Sequence, residues 1–214
     1  MEEEFANLNS ETKSEKFKSF LLNKKKEIII FLTLVILAFM SFFIFSEYKE
    51  RQKKGLSKFY NSIIINYSDN NKKATIDGLI DVVNQKDSTY SPLALYFLVD
   101  NKLIRDRKKI NDLFDILIKK TTLDNEIKNL IIYKKGLLNA DQVDESELLK
   151  ILNPIINSSS IWKSHALYLM AEFFYNKNEK QKSREFFDQI LMLEKPNQEI
   201  VKEVKKRISR DLSE

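Results

Sequence analysis

The sequence has no cysteine, one histidine, three glycines and three prolines among 214 residues. The absence of cysteine excludes disulfides, thiolate chemistry and cysteine-ligated metal sites. Because His165 is the only histidine, the chain has neither a histidine-based metal cluster nor a histidine-centred triad. The low glycine and proline counts disfavour turn-rich sandwiches and barrels and favour stacked helices.

Other catalytic signals are also missing. The three glycines lie too far apart to form a phosphate-binding loop. Acidic pairs such as Asp112 and Asp115 lie among lysines on predicted polar faces, which is typical of solvated charges and not of acid–base partners. The sequence therefore predicts no enzymatic activity, no cofactor, no metal and no small-molecule substrate.

The net charge of +5 arises from 36 basic and 31 acidic residues that are largely interleaved along the chain. Such a mixture indicates a solvated surface and not a basic stripe for nucleic acid. We therefore expect protein partners and no nucleic acid.

One long apolar run dominates the N-terminal part of the chain. Residues 28–45 contain no charged residue, no glycine and no proline. As a helix this run is ~27 Å long, close to the ~30 Å hydrocarbon core of a bilayer. A buried core helix of a soluble protein usually keeps a polar face, and this run has none. We assign a transmembrane helix to residues 28–48, with Ser46 and Tyr48 at the interface.

Residues 1–27 form a polar N-terminal tail that begins acidic and ends with Lys24, Lys25 and Lys26. A short apolar group of Phe17, Phe20, Leu21 and Leu22 fits an amphipathic turn on the membrane surface, but a loosely ordered tail is favoured. A cleaved signal peptide fits poorly, because the polar region and the apolar run are both too long.

The charges that flank the run favour one orientation only weakly. Six lysines precede the run and five basic residues follow it, although the lysine triplet directly abuts the membrane. Charge alone thus favours an inside tail and an outside C-terminal domain by a small margin.

Apolar residues after the run recur at helical spacing. Residues 49–90 are predicted to form a juxtamembrane helical hairpin, whose first helix either continues from the membrane helix or breaks near Gly55. A new helix is expected from Pro92, with Ser91 as its cap. Further helices are predicted at about 73–85, 92–104, 106–119, 124–139, 145–156, 161–176, 180–193 and 197–211. Short polar connections predict antiparallel neighbours.

The last hairpin carries the clearest repeat pattern, which resembles the tetratricopeptide repeat. Its pattern residues are Leu167, Met170, Ala171, Phe174, Asn178, Ser183, Phe187, Ile190 and Pro196. Helices cross closely where small side chains meet, and Ala171 and Ser183 are expected to meet here. Gly136 and Val99 continue the register backwards at spacings of about 35 residues, near the ~34-residue repeat of that family. Residues 91–214 are therefore predicted to be tetratricopeptide-like repeats with a C-terminal capping helix.

Three tyrosines hold equivalent positions in this register. Tyr96, Tyr133 and Tyr168 each lie three residues before the small-residue position, where such stacks face their concave groove. We predict a peptide groove lined by these rings, with His165 and Glu172 nearby, since tyrosine combines apolar area with a hydroxyl on a stiff side chain. Ordinary packing between hairpins is the alternative for the three rings. Trp162, just before the last hairpin, is interpreted as a packing residue.

The whole arrangement is all-α: one N-terminal transmembrane helix followed by a tetratricopeptide-like superhelix of helical hairpins. It resembles the ancillary inner-membrane subunits of the bacterial Sec protein translocon. The resemblance rests on residues 88–94 (STYSPLA), which are similar to the start of that family's first repeat, and on residues 161–184, with Asn178-Glu179-Lys180 at the turn.

The resemblance implies a single-pass protein of the bacterial inner membrane with a cytoplasmic N-terminus and a periplasmic C-terminal domain. It also implies three partners: the translocon, a periplasmic chaperone of the prolyl-isomerase type and translocating polypeptides. The expected function is a membrane-anchored protein-interaction module that assists the handling of secreted polypeptides. A structural scaffold for a cell-envelope or division complex, without unfolded clients, is the alternative.

Overall fold

A computed structural model describes Lys18 and residues 20–212 of the chain. Most of the predicted polar tail, including Phe17, lies outside the described residues, as do positions 213 and 214. Within the described part the secondary structure is helical and contains no β-strand. The prediction of an all-α fold is confirmed.

We number nine α-helices within the described residues. They are α1 (Lys25–Ile65), α2 (Lys72–Asn84), α3 (Tyr90–Asp100), α4 (Arg107–Lys120), α5 (Asn125–Asn139), α6 (Glu145–Ile156), α7 (Lys163–Asn176), α8 (Lys180–Leu191) and α9 (Gln198–Asp211). A short 3-10 helix, Asp69–Asn71, precedes α2. Apart from α3, the helices from α2 onward match the predicted bounds to within two residues.

The chain divides into two compact units between Gly55 and Leu56. In the first unit the apolar side chains of α1 are exposed, for example Phe31 (65%) and Phe43 (67%). Among the described helices, α1 is long and apolar enough to span a membrane. The helix is continuous through Gly55, so the predicted alternative of a break at that glycine is not observed.

Helix α4 shows why these segments are helical and how they bury one face. Ile110, Leu113, Phe114 and Leu117 recur at three- and four-residue spacing and are all buried. The Asp106 side chain accepts a hydrogen bond from a backbone N–H of the first turn. Side-chain caps of the same kind begin α5, α6 and α9, and each contributes about 1 kcal/mol to helix stability.

The start of α3 differs from the prediction. The Asp87 carboxylate accepts hydrogen bonds from Thr89 N (2.8 Å) and Tyr90 N (2.7 Å), so α3 begins at Tyr90. The assignment of Ser91 as the cap was wrong. Its hydroxyl is fully buried and donates instead to Val82 O at the end of α2 (2.7 Å).

The second unit is built around three groups of buried side chains. The first group joins residues of α1 beyond Gly55 to α2, α3, α4 and α5. The second lies between α5, α6 and α7, and the third between α7, α8 and α9. Helices α5 and α6 pair as neighbours, and so do α7 and α8, while α3 packs more extensively on α2 than on α4. A first hairpin made of α3 and α4 was expected, and α4 instead contacts both α2 and α3.

Small residues mark the closest helix contacts. A Cβ atom placed on Gly136 would lie 2.6 Å from Leu152 Cδ2 in α6, and Leu152 is itself fully buried. Ala171 and Ser183, expected to meet in the last hairpin, are both completely buried. Asn178 supports the turn between α7 and α8 with a positive φ of 61°, and Glu179 N donates to Phe174 O (2.9 Å).

Replacing Gly136 with valine should destabilise the domain by about 2 kcal/mol, because the added methyl groups overlap Leu152 in a core that cannot easily yield. Gly55→Val is the matched control, since nothing lies within 4 Å of a Cβ at that position. Thermal unfolding followed by helical circular dichroism measures both variants. Equal stability of the two variants would contradict close packing at Gly136.

Candidate functional site

The five predicted groove residues lie on α3, α5 and α7, and we call them the tyrosine face. Tyr96 is on α3, Tyr133 on α5, and His165, Tyr168 and Glu172 on α7. All five are partly exposed, and each contacts side chains of a neighbouring helix, as set out below.

Tyr96 lies at the contact between α3 and α5. The Lys134 ammonium lies 4.8 Å from the centre of its ring and 3.4 Å from the Asp100 carboxylate. The Tyr96 hydroxyl is buried and has no hydrogen-bond partner among the described residues. Burial, together with the Asp100 charge, raises the pKa of Tyr96 to about 12, so the phenol is neutral at physiological pH.

Tyr133 joins α5 to the start of α7 through an aromatic cluster. Its ring stacks on Trp162 with centroids 5.9 Å apart, and the His165 ring lies 5.7 Å from Tyr133 and 5.0 Å from Trp162. Burial lowers the pKa of His165, so the imidazole is neutral at pH 7. Trp162 packs against the second core group, in agreement with its interpretation as a packing residue.

Glu172 and Tyr168 lie where α7 meets α8 and α9. The Arg207 guanidinium donates two hydrogen bonds to the Glu172 carboxylate, both 2.9 Å, and lies 4.3 Å from the centre of the Tyr175 ring. Arg207 also contacts Asp211. The Tyr168 ring packs on Phe187 at 5.5 Å. Burial and then the Glu172 charge raise the pKa of Tyr168 to about 12.

The tyrosine face thus brings Tyr133 together with His165, and Tyr168 into the neighbourhood of Glu172, while Tyr96 contacts Lys134. Each group joins different helices and contributes to their packing. The partly exposed rings offer apolar surface, which suits peptide contact, although the Tyr96 hydroxyl itself is buried. Their role in a peptide groove stays a prediction.

A concave region formed by α4, α5 and α6 was not predicted. A cavity of about 710 Å³ opens between α4 and α6 and is also lined by residues of α5. We call it the α4–α6 groove. Its lining combines apolar Ile118, Ile132 and Ile151 with the lysines at positions 119 and 150. It arises from the separation of two helices that are not consecutive in the chain, so no local pattern in the sequence signals it.

A polar clamp between α4 and α5 forms one wall of this groove. The Asp115 carboxylate accepts from Lys135 Nζ at 2.7 Å and from Lys119 Nζ at 3.0 Å. Asn111 and Asn139 exchange side-chain hydrogen bonds of 2.9 Å in both directions. Each amide also donates to a carbonyl of its own helix, so the clamp ties helices together and keeps no amide donor for a ligand.

Protonation of Asp115 is set by this clamp. Burial acts to raise the pKa of Asp115, but the hydrogen bonds and charges of Lys135 and Lys119 outweigh it and lower the pKa below its ordinary 3.8.

Within the described part of the chain, no cluster of histidine and acidic residues could hold a metal ion.

The described residues form an all-helical protein with one candidate membrane-spanning helix. Comparison of the chain with protein-family models, with curated proteins and with solved structures gives no match.

Tyr96→Phe should leave the domain as stable or stabilise it by about 1 kcal/mol, because it removes a buried hydroxyl that has no partner. Tyr90→Phe is the matched control. The Tyr90 hydroxyl donates to Ser57 Oγ at 2.7 Å, and its loss should cost about 1 kcal/mol. Denaturant unfolding compares the two variants, and a destabilised Tyr96→Phe would show that this hydroxyl has a partner.

Asp115→Asn should destabilise the domain at pH 7 by about 1 kcal/mol, since Asp115 is about one-third exposed and Lys135 loses its partner. A carboxyl whose folded pKa is lowered stabilises the fold above its ordinary pKa and loses that contribution as the pH falls through the folded pKa. The difference in the free energy of unfolding between Asp115→Asn and wild type should therefore shrink as the pH falls below 3.8.

The control for the clamp is Asp112→Asn, which breaks the exposed 2.9 Å pair with Lys108 and should leave the stability nearly unchanged, because solvent screens a pair of this kind. Denaturant unfolding at neutral and acidic pH measures both variants. A pH-independent effect of Asp115→Asn would show that the clamp does not depend on the carboxylate charge.

Proposed function

We propose that this protein is a membrane-anchored protein-interaction module. The observation that carries the proposal is α1, whose apolar side chains are exposed along the stretch that precedes Gly55 and which leads directly into a separately packed helical unit. An exposed apolar surface of this length is stable in lipid and not in water. We place the N-terminus in the cytoplasm and the helical domain in the periplasm of a bacterial inner membrane, as the resemblance to the translocon subunits implies.

We further propose that the helical unit is a tetratricopeptide-like stack. The α5/α6 and α7/α8 pairs, the close approach at Gly136 and the buried Ala171 and Ser183 support this proposal. Stacked helix pairs present an extended surface that suits polypeptide binding. Helix α9 covers the last pair, and the bidentate pair of Arg207 with Glu172 holds it there.

The proposed partners are the Sec translocon, a periplasmic chaperone of the prolyl-isomerase type and polypeptides in transit. The tether raises the local concentration of the domain at the membrane, so weak contacts with a passing chain suffice. The tyrosine face supplies partly exposed rings and neutral polar groups for such contacts.

A scaffold for a cell-envelope complex is the second candidate function. The observation that favours it is the use of Tyr96, Tyr133 and Glu172 in contacts between helices. Rings held in this way form a rigid surface, which suits a folded partner better than an unfolded client.

The test is crosslinking in native membranes, followed by affinity purification after gentle solubilisation. We expect the translocon and nascent secreted chains to be recovered with the wild-type protein. Replacing Tyr96, Tyr133 and Tyr168 together by alanine should abolish client recovery and leave membrane anchoring intact. Tyr67→Ala, which removes a ring outside the tyrosine face, is the control.

Helicity of the triple variant decides how the loss is interpreted. Loss of clients with unchanged circular dichroism supports a binding role for the rings, whereas loss of helicity supports packing alone. Recovery of envelope-assembly proteins without translocon or nascent chains would favour the scaffold.

A further inference from the structure

The α4–α6 groove is elongated along the helices that line it. Its lining extends along α4 from Lys108 in the first turn to Lys119 in the last, which is about 16 Å along the helix axis. Its volume of about 710 Å³ lies within the ~300–1,000 Å³ that is typical of ligand sites. An extended chain of about five residues is ~17 Å long, so the groove has the length to hold such a segment.

Apolar side chains from all three helices form the floor of the groove. They are Ile118 of α4, Ile132 of α5 and Ile151 of α6. Ile132 belongs to the second core group and is only 5% exposed, whereas Ile118 and Ile151 pack against that group and are half-buried. The floor therefore continues the core to the surface and offers apolar contact to an occupant.

Positive charge is in excess beside this floor. Lys119 and Lys135 share the Asp115 carboxylate, at 3.0 Å and 2.7 Å, so two ammonium groups are balanced by one negative charge. Lys150 of α6 also lines the groove; it is exposed and forms no ion pair with any described residue. Lys119 and Lys150 thus have ammonium donors left for an occupant.

The remaining charged lining residues are already balanced or lie at the start of α6. Lys108 is paired with Asp112 at 2.9 Å. The Asp144 carboxylate accepts a hydrogen bond from Glu147 N, and both acidic residues lie where the positive end of the helix dipole stabilises them. Lys150 lies about one turn further along the same helix. The charge that an occupant meets beyond the start of α6 is therefore positive.

We propose that the α4–α6 groove binds an extended segment of a partner protein in which large apolar side chains alternate with carboxylates. Successive side chains of an extended chain point to opposite faces, so one set contacts the isoleucine floor and the other reaches Lys119 and Lys150. The groove lies wholly within the second unit and contains no residue of the tyrosine face. The inference therefore goes beyond the proposed function and depends neither on the membrane anchor nor on the tyrosine face.

The absence of native cysteine allows a test with single labels on the full-length protein. Ser146→Cys places an environment-sensitive fluorophore on an exposed lining residue of α6. Leu137→Cys is the matched control, since Leu137 is exposed (46%) on α5 and does not line the groove. Each labelled protein is held in nanodiscs of zwitterionic lipid and titrated with a short synthetic peptide that alternates leucine with glutamate. Two control peptides replace glutamate by glutamine, or leucine by serine.

We expect the leucine–glutamate peptide to give a saturable change at the label on position 146 and none at position 137. Both control peptides should bind at least about fivefold more weakly, because each lacks one of the two attractive contacts.

A single lysine tests the charge contact. Lys150→Gln should weaken binding of the leucine–glutamate peptide about threefold, since it removes one exposed charge contact. The fold should not change, because Lys150 has no partner to lose, and circular dichroism checks this. Lys120→Gln is the matched control, since it makes the same change of charge at an exposed lysine of α4 that does not line the groove. It should leave the binding unchanged.

Several results would overturn the proposal. Equal affinity for the glutamate and glutamine peptides would remove the charge selection, and an equal response of the two labels would place the peptide outside the groove. Equal weakening by Lys150→Gln and Lys120→Gln would indicate attraction by the overall charge of the protein. Tighter binding of laurate than of the peptide would identify a site for a small molecule. Each of these results leaves the proposed function standing, because the crosslinking test of that function depends on the anchor and the tyrosine face.

Discussion

Close approach of helices at small residues is the constraint on which the domain depends. With no disulfide available, the helices are held together by buried apolar contact and by a few polar links between them. At Gly136 the distance to Leu152 leaves no room for a side chain, and larger residues on either side fill the space between helix pairs. The register of the α5/α6 pair therefore depends on the position of Gly136, and the surfaces that these two helices present outward follow from that register.

The tyrosine face illustrates this consequence. Side chains of different helices meet on it, since Lys134 of α5 reaches Tyr96 of α3 and Tyr133 of α5 stacks on Trp162 just before α7. Residues that line a shared surface then also stabilise it. Binding and packing are not exclusive roles for such rings, because a ring held by its neighbours loses little conformational freedom when a ligand contacts it.

Periodicity in the sequence predicted the helices and most of their bounds, because each amphipathic face and each capping aspartate acts within a few residues. It predicted Gly136 as a small-residue position for the same reason. It placed the start of α3 at Pro92 instead of Tyr90. The backbone N–H groups of Thr89 and Tyr90 donate to the Asp87 carboxylate, so Asp87 and not Ser91 supports the start of the helix. It did not predict the α4–α6 groove, which depends on how two helices that are not consecutive in the chain pack. Arg207 likewise gave no signal, because its partner Glu172 is remote in sequence.

The tyrosine face and the α4–α6 groove share one helix. Tyr133 of α5 belongs to the tyrosine face, whereas Ile132 and Lys135 of the same helix line the α4–α6 groove. Adjacent residues of a helix point in different directions, so α5 contributes to both regions without being occluded from either. The proposed anchor raises the local concentration of the domain at the membrane, and a partner held at the same membrane then needs only weak contacts with either region.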